Sequence, residues 1–148
     1  MKKKFLIGIA AFILTISSTY ANKIGSNIPE AVVSEFSQNF NQAQNVKWEK
    51  IGDYYKVTFN QLGSTLYAFY SENSDLMGTA NYLLSDRLPA SLKSDIKKNY
   101  SDYWISDLFK YSINEKPGYL VTLENADYTI MLKSDNGQSW YVYKTISK

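Results

Sequence analysis

An internal repeat constrains the fold of this chain more than any other feature of its sequence. Two segments that begin at Ile28-Pro29 and at Leu88-Pro89 lie sixty residues apart and carry apolar residues at every fourth position. These positions are Ile28, Val32, Phe36 and Phe40 in the first segment and Leu88, Leu92, Ile96 and Tyr100 in the second. Such spacing is typical of one face of a helix, and proline is tolerated at a helix start, where its missing N–H has no partner. We therefore predict two short amphipathic helices.

Each predicted helix is followed by segments with the alternation of β-strands. Tyr55–Phe59 matches Tyr119–Leu123 at a distance of 64 residues, and both are rich in β-branched and aromatic side chains. Further strands are predicted at 46–50, 64–70, 76–83, 106–113, 127–133 and 139–145. The turns between them are short, which favours antiparallel pairing.

These elements predict an α+β fold, in which a tandem repeat of helix plus antiparallel strands packs its helices on one face of the sheet. The first repeat covers about residues 28–84 and the second about residues 85–148. Strand alternation predicts that two sets of side chains form the core beneath the helices. They are Tyr55, Val57 and Phe59 in one repeat and Tyr119, Val121 and Leu123 in the other.

The first 21 residues have the three parts of a cleavable secretory signal. Lysines at positions 2–4 precede the uncharged stretch Phe5–Ile16, and small residues follow up to Ala21. This apolar stretch of 12 residues is shorter than the ~20 that a membrane span needs. We predict cleavage after Ala21, an N-terminal arm at 22–27, periplasmic or secreted localisation, and no stable membrane insertion after cleavage.

Removal of the signal also removes the basic character of the chain. Three of the 16 Lys and Arg residues lie in the signal and none of the 14 acids do, so that the remainder carries 13 bases and 14 acids. A surface for nucleic acid would need a basic excess. The sequence therefore predicts no nucleic-acid partner.

Residue types that most enzymes depend on are missing from the chain. There is no histidine and no cysteine, which excludes Ser-His-Asp and Cys-His catalysis and the usual zinc sites. Glycine-rich phosphate-binding motifs are also missing. We predict that the protein is not an enzyme and that it uses no cofactor and no metal.

Carboxylate chemistry is the type of catalysis that this composition still allows. Asp102 and Asp107 flank Trp104 and could form an acid pair beside a sugar-stacking ring, but we interpret this stretch as a helix-end loop with a buried tryptophan. The oxygen-rich segments 71–75 and 134–137 lack the acid spacing of a calcium loop. We interpret both as turns between strands.

The order of these segments resembles a known family. Leu-Pro before an amphipathic helix, then a strand, then a pattern like Gly52-Asp53-Tyr54-Tyr55 before Val57 and Phe59, is similar to the PepSY-like, β-lactamase-inhibitor-protein-like domains of exported bacterial proteins. The resemblance covers about residues 28–145. It implies tandem units of helix plus antiparallel sheet and a non-catalytic role in binding or inhibiting another extracytoplasmic protein.

The hairpin at Gly52 gives the resemblance its most specific implication. In β-lactamase inhibitor protein a similar segment enters the target with an aspartate, which implies that Asp53 is an inserted acid with Tyr54 and Tyr55 beside it. By itself, Gly-Asp is also a common turn pair. This chain departs from the inhibitor because it lacks disulfides and has no recognisable second contact loop.

Aromatic side chains on both faces of the strands predict a binding surface. Tyr and Trp together with Phe make up 16% of the chain, and a sheet covered on one face alone would expose some of them on the other. An N-terminal arm, a dimer partner or the other half of the chain could equally cover that face. The predicted partner-binding residues are Asp53, Tyr54, Tyr55, Lys56, Trp140 and Tyr141.

We therefore expect a non-catalytic extracytoplasmic binding module that docks to, or inhibits, a secreted or periplasmic protein. The alternative is a domain that binds a small glycan or lipid ligand, and a third possibility is a carboxylate-based hydrolase. The sequence leaves open the identity of the partner and the oligomeric state.

Overall fold

A computed structural model of the protein describes residues 28–148. The predicted signal and N-terminal arm lie outside the described residues. The elements are α1 Glu30–Asn39, β1 Gln44–Ile51, β2 Tyr54–Gln61, β3 Ser64–Ser71, β4 Leu76–Tyr82, a 3-10 turn Ser85–Arg87, α2 Ala90–Asn99, β5 Trp104–Ile113, β6 Lys116–Glu124, β7 Tyr128–Ser134 and β8 Tyr141–Ser147. No helix among these residues is long and apolar enough to cross a membrane.

The eight strands form one antiparallel sheet in which each strand pairs with the next along the chain. The β4–β5 pair, from Thr79 opposite Ser112 to Tyr82 opposite Phe109, joins the first four strands to the last four. Directly opposed residues point to the same side of an antiparallel pair, so the register assigns each strand side chain to one of two faces.

The face that contacts both helices, which we call the helix face, carries two core clusters. Val32 and Phe36 of α1 lie on the first cluster, where the Phe36 ring is 5.1 Å from the Phe59 ring. Leu92 of α2 lies on the second. The strand residues of the two clusters are Tyr55, Val57, Phe59, Ala68 and Tyr70, and Leu108, Val121, Leu123 and Leu132. The predicted core positions are confirmed, with Tyr119 partly buried against the second cluster.

The opposite face, which we call the aromatic face, carries a third cluster that spans both halves of the sheet. Its buried members are Tyr54, Tyr67, Phe69, Ala80, Phe109, Tyr111, Leu120 and Met131. The Tyr82 ring links strands across the middle, at 6.1 Å from the Tyr67 ring and 4.2 Å from the Phe109 ring. Antiparallel sheets that are covered on one face commonly carry polar side chains on the other, whereas this face carries a buried cluster rich in aromatic side chains.

The predicted α+β class with a tandem helix-plus-strand repeat is wrong, because the described chain is mainly β. Two helices of ten residues each accompany a single eight-stranded sheet. The helices bury few side chains: Val32 and Phe36 in α1, and Leu92 in α2. Because β4 and β5 pair directly, the two sets of strands do not form separate layers. The periodicities indicated the elements but not this pairing.

Candidate functional site

The β1–β2 hairpin places the predicted acid at one end of the sheet. Gly52 adopts a φ of +55°, which favours glycine, and Asp53 follows it on the surface of the turn. Ile51 and Tyr54, on either side, are paired across the hairpin. Asp53 is therefore presented to solvent at the rim of the aromatic face.

The two tyrosines that follow Asp53 point to opposite faces. Tyr55 is buried in the helix-face core, and the Lys50 Nζ lies 5.5 Å from the centre of its ring. Tyr54 is buried in the aromatic-face cluster, with its ring 6.1 Å from that of Phe69. The structure therefore keeps Tyr54 near Asp53 on one surface and turns Tyr55 into the core.

Lys56 lies on the aromatic face, although lysine is rarely buried. Its side chain is 6% exposed, and its Nζ is 2.6 Å from Glu49 Oε2 on the neighbouring strand. A buried cation needs such a partner, since removing it from water without one is costly. Glu49 is itself half exposed, so the pair presents a carboxylate to solvent above a buried ammonium.

Tyr141 lies at the other side of the aromatic face, in a cluster built around Asp135. The Asp135 carboxylate accepts hydrogen bonds from the hydroxyls of Tyr111 at 2.5 Å and Tyr141 at 2.8 Å. Lys133 Nζ lies 3.0 Å from the same carboxylate and within 6 Å of both tyrosine ring centres, at 5.7 and 5.8 Å. We call these four residues, Tyr111, Lys133, Asp135 and Tyr141, the Asp135 cluster.

The charges of the Asp135 cluster stabilise one another. Burial by itself would raise the pKa of Asp135, but the hydrogen bonds from Tyr111, Lys133 and Tyr141 hold this pKa below its ordinary value. Burial would lower the pKa of Lys133, and its bonds to Tyr141 and Asp135 raise it instead. Burial and the Asp135 carboxylate both raise the pKa of Tyr111. At neutral pH the cluster is an ion pair between neutral tyrosines.

Trp140 lies on the helix face. Its indole Nε1 donates a hydrogen bond to the Leu92 carbonyl of α2 at 2.9 Å, and its ring packs at the second core cluster. Of the six predicted partner-binding residues, Tyr54, Lys56 and Tyr141 therefore share the aromatic face and Asp53 lies at its rim. Tyr55 and Trp140 lie on the other side of the sheet.

Sequence reasoning missed most of the Asp135 cluster. Asp135 was interpreted as part of a turn, and the turn is present: Gly137 N–H bonds to Ser134 Oγ at 3.1 Å and Gln138 N–H to Asn136 Oδ1 at 2.8 Å. Tyr111, Lys133 and Tyr141 come from three strands, and their meeting depends on the strand register. The sequence did contain one signal for this cluster: Lys133 and Asp135 are alternate residues beside the turn at 134–137, and Tyr141 follows that turn.

No protein-family model matches the sequence, and no curated protein matches it either. Solved structures do resemble the fold. A BLIP-like protein from Bacteroides fragilis has a TM-score of 0.71 and 18% sequence identity over 83% of this chain and 91% of that chain. A DUF2874 family protein from Bacteroides ovatus has a TM-score of 0.71 and 19% identity over 83% of this chain and 89% of that one.

The fold is BLIP-like. A protein from Bacteroides eggerthii, described only provisionally as periplasmic, has the same architecture, with a TM-score of 0.69 and 14% identity over 80% of this chain and 88% of that chain. At these identities the likeness concerns the fold. It supports the inhibitor-like part of the sequence resemblance, while the PepSY part stays a prediction.

Proposed function

We propose that the protein is a non-catalytic extracytoplasmic binding module that docks a secreted or periplasmic protein on its aromatic face. The contact includes Asp53 at the rim and the exposed Tyr141 and Asp135 of the Asp135 cluster, and the buried Tyr54 and Lys56 support this surface from beneath. In this proposal Tyr55 and Trp140 support the surface from the helix side.

The observation that carries the proposal is the composition of the aromatic face. A sheet face without a helix would ordinarily be polar, yet this one carries aromatic and aliphatic side chains from strands β2 to β7, which are buried against one another. Tyr82 and Tyr141 keep 49% and 45% of their surface exposed. Tyrosine is favoured at protein interfaces because its ring gives a large contact area at a small cost in conformational entropy.

The ion pairs on this face support specificity. Lys56 and Glu49 pair between neighbouring strands, and the pair of Lys133 and Asp135 at the end of β7 is held by Tyr111 and Tyr141, so both pairs are in place before any partner arrives. Preorganised charges cost less to order on binding and reject partners of the wrong charge pattern. The BLIP-like fold and the missing histidine and cysteine agree with a binding role without catalysis.

The alternative of a glycan or lipid ligand would be favoured by a closed aromatic pocket. The described residues instead line open clefts. One of about 620 Å³ is lined largely by the amide side chains of Gln42, Gln44, Asn60 and Gln61, and one of about 360 Å³ lies near Tyr82. We therefore keep the protein partner as the proposed function.

The test is capture followed by reconstitution. The protein is purified from the extracytoplasmic fraction after expression of the full chain, and mass spectrometry reports whether it begins at residue 22. The purified protein is immobilised and exposed to the extracytoplasmic proteins of the exporting cell. A protein that it captures is then purified, and the affinity between the two is measured. We expect the double variant Asp53→Ala, Tyr141→Ala to lose at least about tenfold in affinity, since exposed tyrosines at interface centres often contribute more than 1 kcal/mol.

The matched control is Val33→Ser, which changes a half-exposed side chain of α1, on the far side of the sheet. It should leave the affinity unchanged. If both variants lose the same affinity, or if the double variant binds as tightly as the unchanged protein, the aromatic face is not the docking site. Failure to capture any partner would count against the proposal as a whole.

A further inference from the structure

A cleft lies where the segment that leaves β4 passes the start of β5. The Leu83 N–H bonds to the Leu108 carbonyl at 2.9 Å, which holds this segment against the strand. The cleft has a volume of about 360 Å³ and is lined by residues 82–85 and 105–108. We call it the 84–107 cleft.

Exposed apolar side chains line part of the 84–107 cleft. Leu84 keeps 73% of its surface exposed, and Tyr82 and Ile105 are also exposed. A bulge in β5 between Ile105 and Asp107 interrupts the regular register at this point. Bulges often redirect side chains beside functional sites, and neighbouring exposed apolar groups mark binding surfaces.

Asp107 gives the cleft its charge. Its carboxylate is half-buried and has no ion-pair or hydrogen-bond partner among residues 28–148. Glu124, whose charge acts on Asp107, is itself bonded to Lys148 at 2.7 Å, and the Lys148 Nζ lies 5.2 Å from the centre of the Trp104 ring. Burial and the charge of Glu124 raise the pKa of Asp107 above its ordinary value. A half-buried carboxylate without a partner is stabilised by a cation that arrives from outside.

We propose that the 84–107 cleft docks a segment of a protein partner in which a lysine or arginine lies next to an apolar side chain. The apolar side chain fills the space between Leu84, Tyr82 and Ile105, and the cation meets Asp107. The occupant follows from charge complementarity: an acidic segment would place a second carboxylate against Asp107 and Glu124, and a neutral segment would leave Asp107 without a partner.

This site is separate from the Asp53 rim. Asp53 precedes Tyr54, which pairs with Ser71 at one end of β3. Tyr82 follows Asn81, which pairs with Leu66 near the other end of β3. Leu66 and Ser71 are five residues apart on β3, which corresponds to about 17 Å along the strand. The proposal for the cleft can therefore be contradicted while the proposal for the aromatic face is supported, and the opposite outcome is equally distinguishable.

The experiment is a titration of the isotope-labelled protein with a peptide, in which binding is monitored through the amide chemical shifts of the protein. The probe is a blocked nonapeptide with a central leucine-lysine-leucine in a glycine-serine background. Its matched forms carry glutamine or glutamate in place of the lysine. The protein variants are Asp107→Asn, which keeps the side-chain shape, and Leu84→Ser. The control is Leu62→Ser, at a leucine that is 89% exposed in the β2–β3 turn.

We expect the lysine peptide to shift the amide signals of residues 84 and 105–107 and the glutamate peptide to shift none of them. Asp107→Asn should weaken binding about fivefold, as expected for a partly exposed ion pair, and Leu84→Ser should also weaken it. Leu62→Ser should bind like the unchanged protein. The proposal is overturned if the lysine peptide does not bind at millimolar concentration, if it binds Asp107→Asn with unchanged affinity, or if the glutamate peptide binds equally well.

Discussion

Gly118 shows at the level of one residue how the aromatic face depends on close packing. It lies opposite Tyr111 in the β5–β6 pair, and the Tyr111 ring lies over it. A Cβ added at Gly118 would be 2.1 Å from Tyr111 Cζ. Glycine here leaves space for a ring, and its backbone needs no positive φ. The tyrosine therefore reaches Asp135 only because its neighbour has no side chain.

We predict that Gly118→Ala lowers the free energy of unfolding by about 1–3 kcal/mol, the usual cost of overpacking a core. Urea unfolding followed by fluorescence measures this change. The same substitution in a Tyr111→Ala background should cost much less, because the ring is then absent. An equal cost in both backgrounds would show that the ring contact is not the cause.

Asp135 predicts a pH dependence of stability. Its pKa in the folded chain lies below the ordinary value of 3.8, so the ionised carboxylate stabilises the fold above that pH. This contribution is lost as the pH falls through the folded-state pKa. Because the carboxylate is half exposed, solvent screening limits the contribution to about 1 kcal/mol or less.

The measurement compares the unfolding free energies of Asp135→Asn and the unchanged protein between about pH 7 and pH 2. The difference between the two proteins should be largest at neutral pH and should shrink as the solution becomes acidic. A difference that stays constant over this range would contradict a role for the ionised carboxylate.

At the level of elements, Trp140 joins the start of β8 to α2. Its hydrogen bond to the Leu92 carbonyl connects an edge strand, whose residues are otherwise exposed, to the helix above the core. We predict that Trp140→Phe lowers the free energy of unfolding by about 1 kcal/mol, the usual value for one hydrogen bond, and leaves partner affinity unchanged. Trp104→Phe, at a half-exposed ring, is the control and should cost less. Loss of affinity without loss of stability would instead support the sequence prediction that Trp140 binds the partner.

Sequence periodicity predicted elements better than it predicted their assembly. The four-residue spacing of Val32 and Phe36 and the alternation of Tyr55 and Val57 depend on neighbours along the chain, and both are confirmed in the helix-face core. The β4–β5 pairing that merges the halves depends on contacts between distant residues, and it is what made the tandem α+β prediction wrong. The same reason explains why alternation could assign Tyr54 and Tyr55 to opposite faces of β2, whereas the contacts of Tyr111 and Tyr141 with Asp135 could not be predicted.

At the level of the whole molecule, the aromatic-face cluster couples the two halves. Tyr67 and Phe69 from the first half and Phe109 and Tyr111 from the second belong to one buried cluster. The β4–β5 ladder, with Ala80 opposite Tyr111, adds backbone hydrogen bonds at the same junction. Neither half can therefore bury its share of the cluster without the other.

We predict that the described domain unfolds in one cooperative transition. Trp48 packs against the first helix-face cluster and Trp140 against the second, so each reports on its own half. One variant retains Trp48 and the other retains Trp140, and each has Phe at the other two tryptophan positions. When unfolding is monitored by fluorescence, the slope of the unfolding free energy against urea concentration should be the same in both variants. The midpoints of the two variants should differ by the difference between the stabilities lost in Trp140→Phe and Trp48→Phe, divided by that slope. Circular dichroism should give the same midpoint as fluorescence within each variant. Fluorescence of one half that changes at a lower urea concentration than the circular dichroism of the same variant would show that the halves unfold separately, and the continuous sheet would then not be the unit of stability.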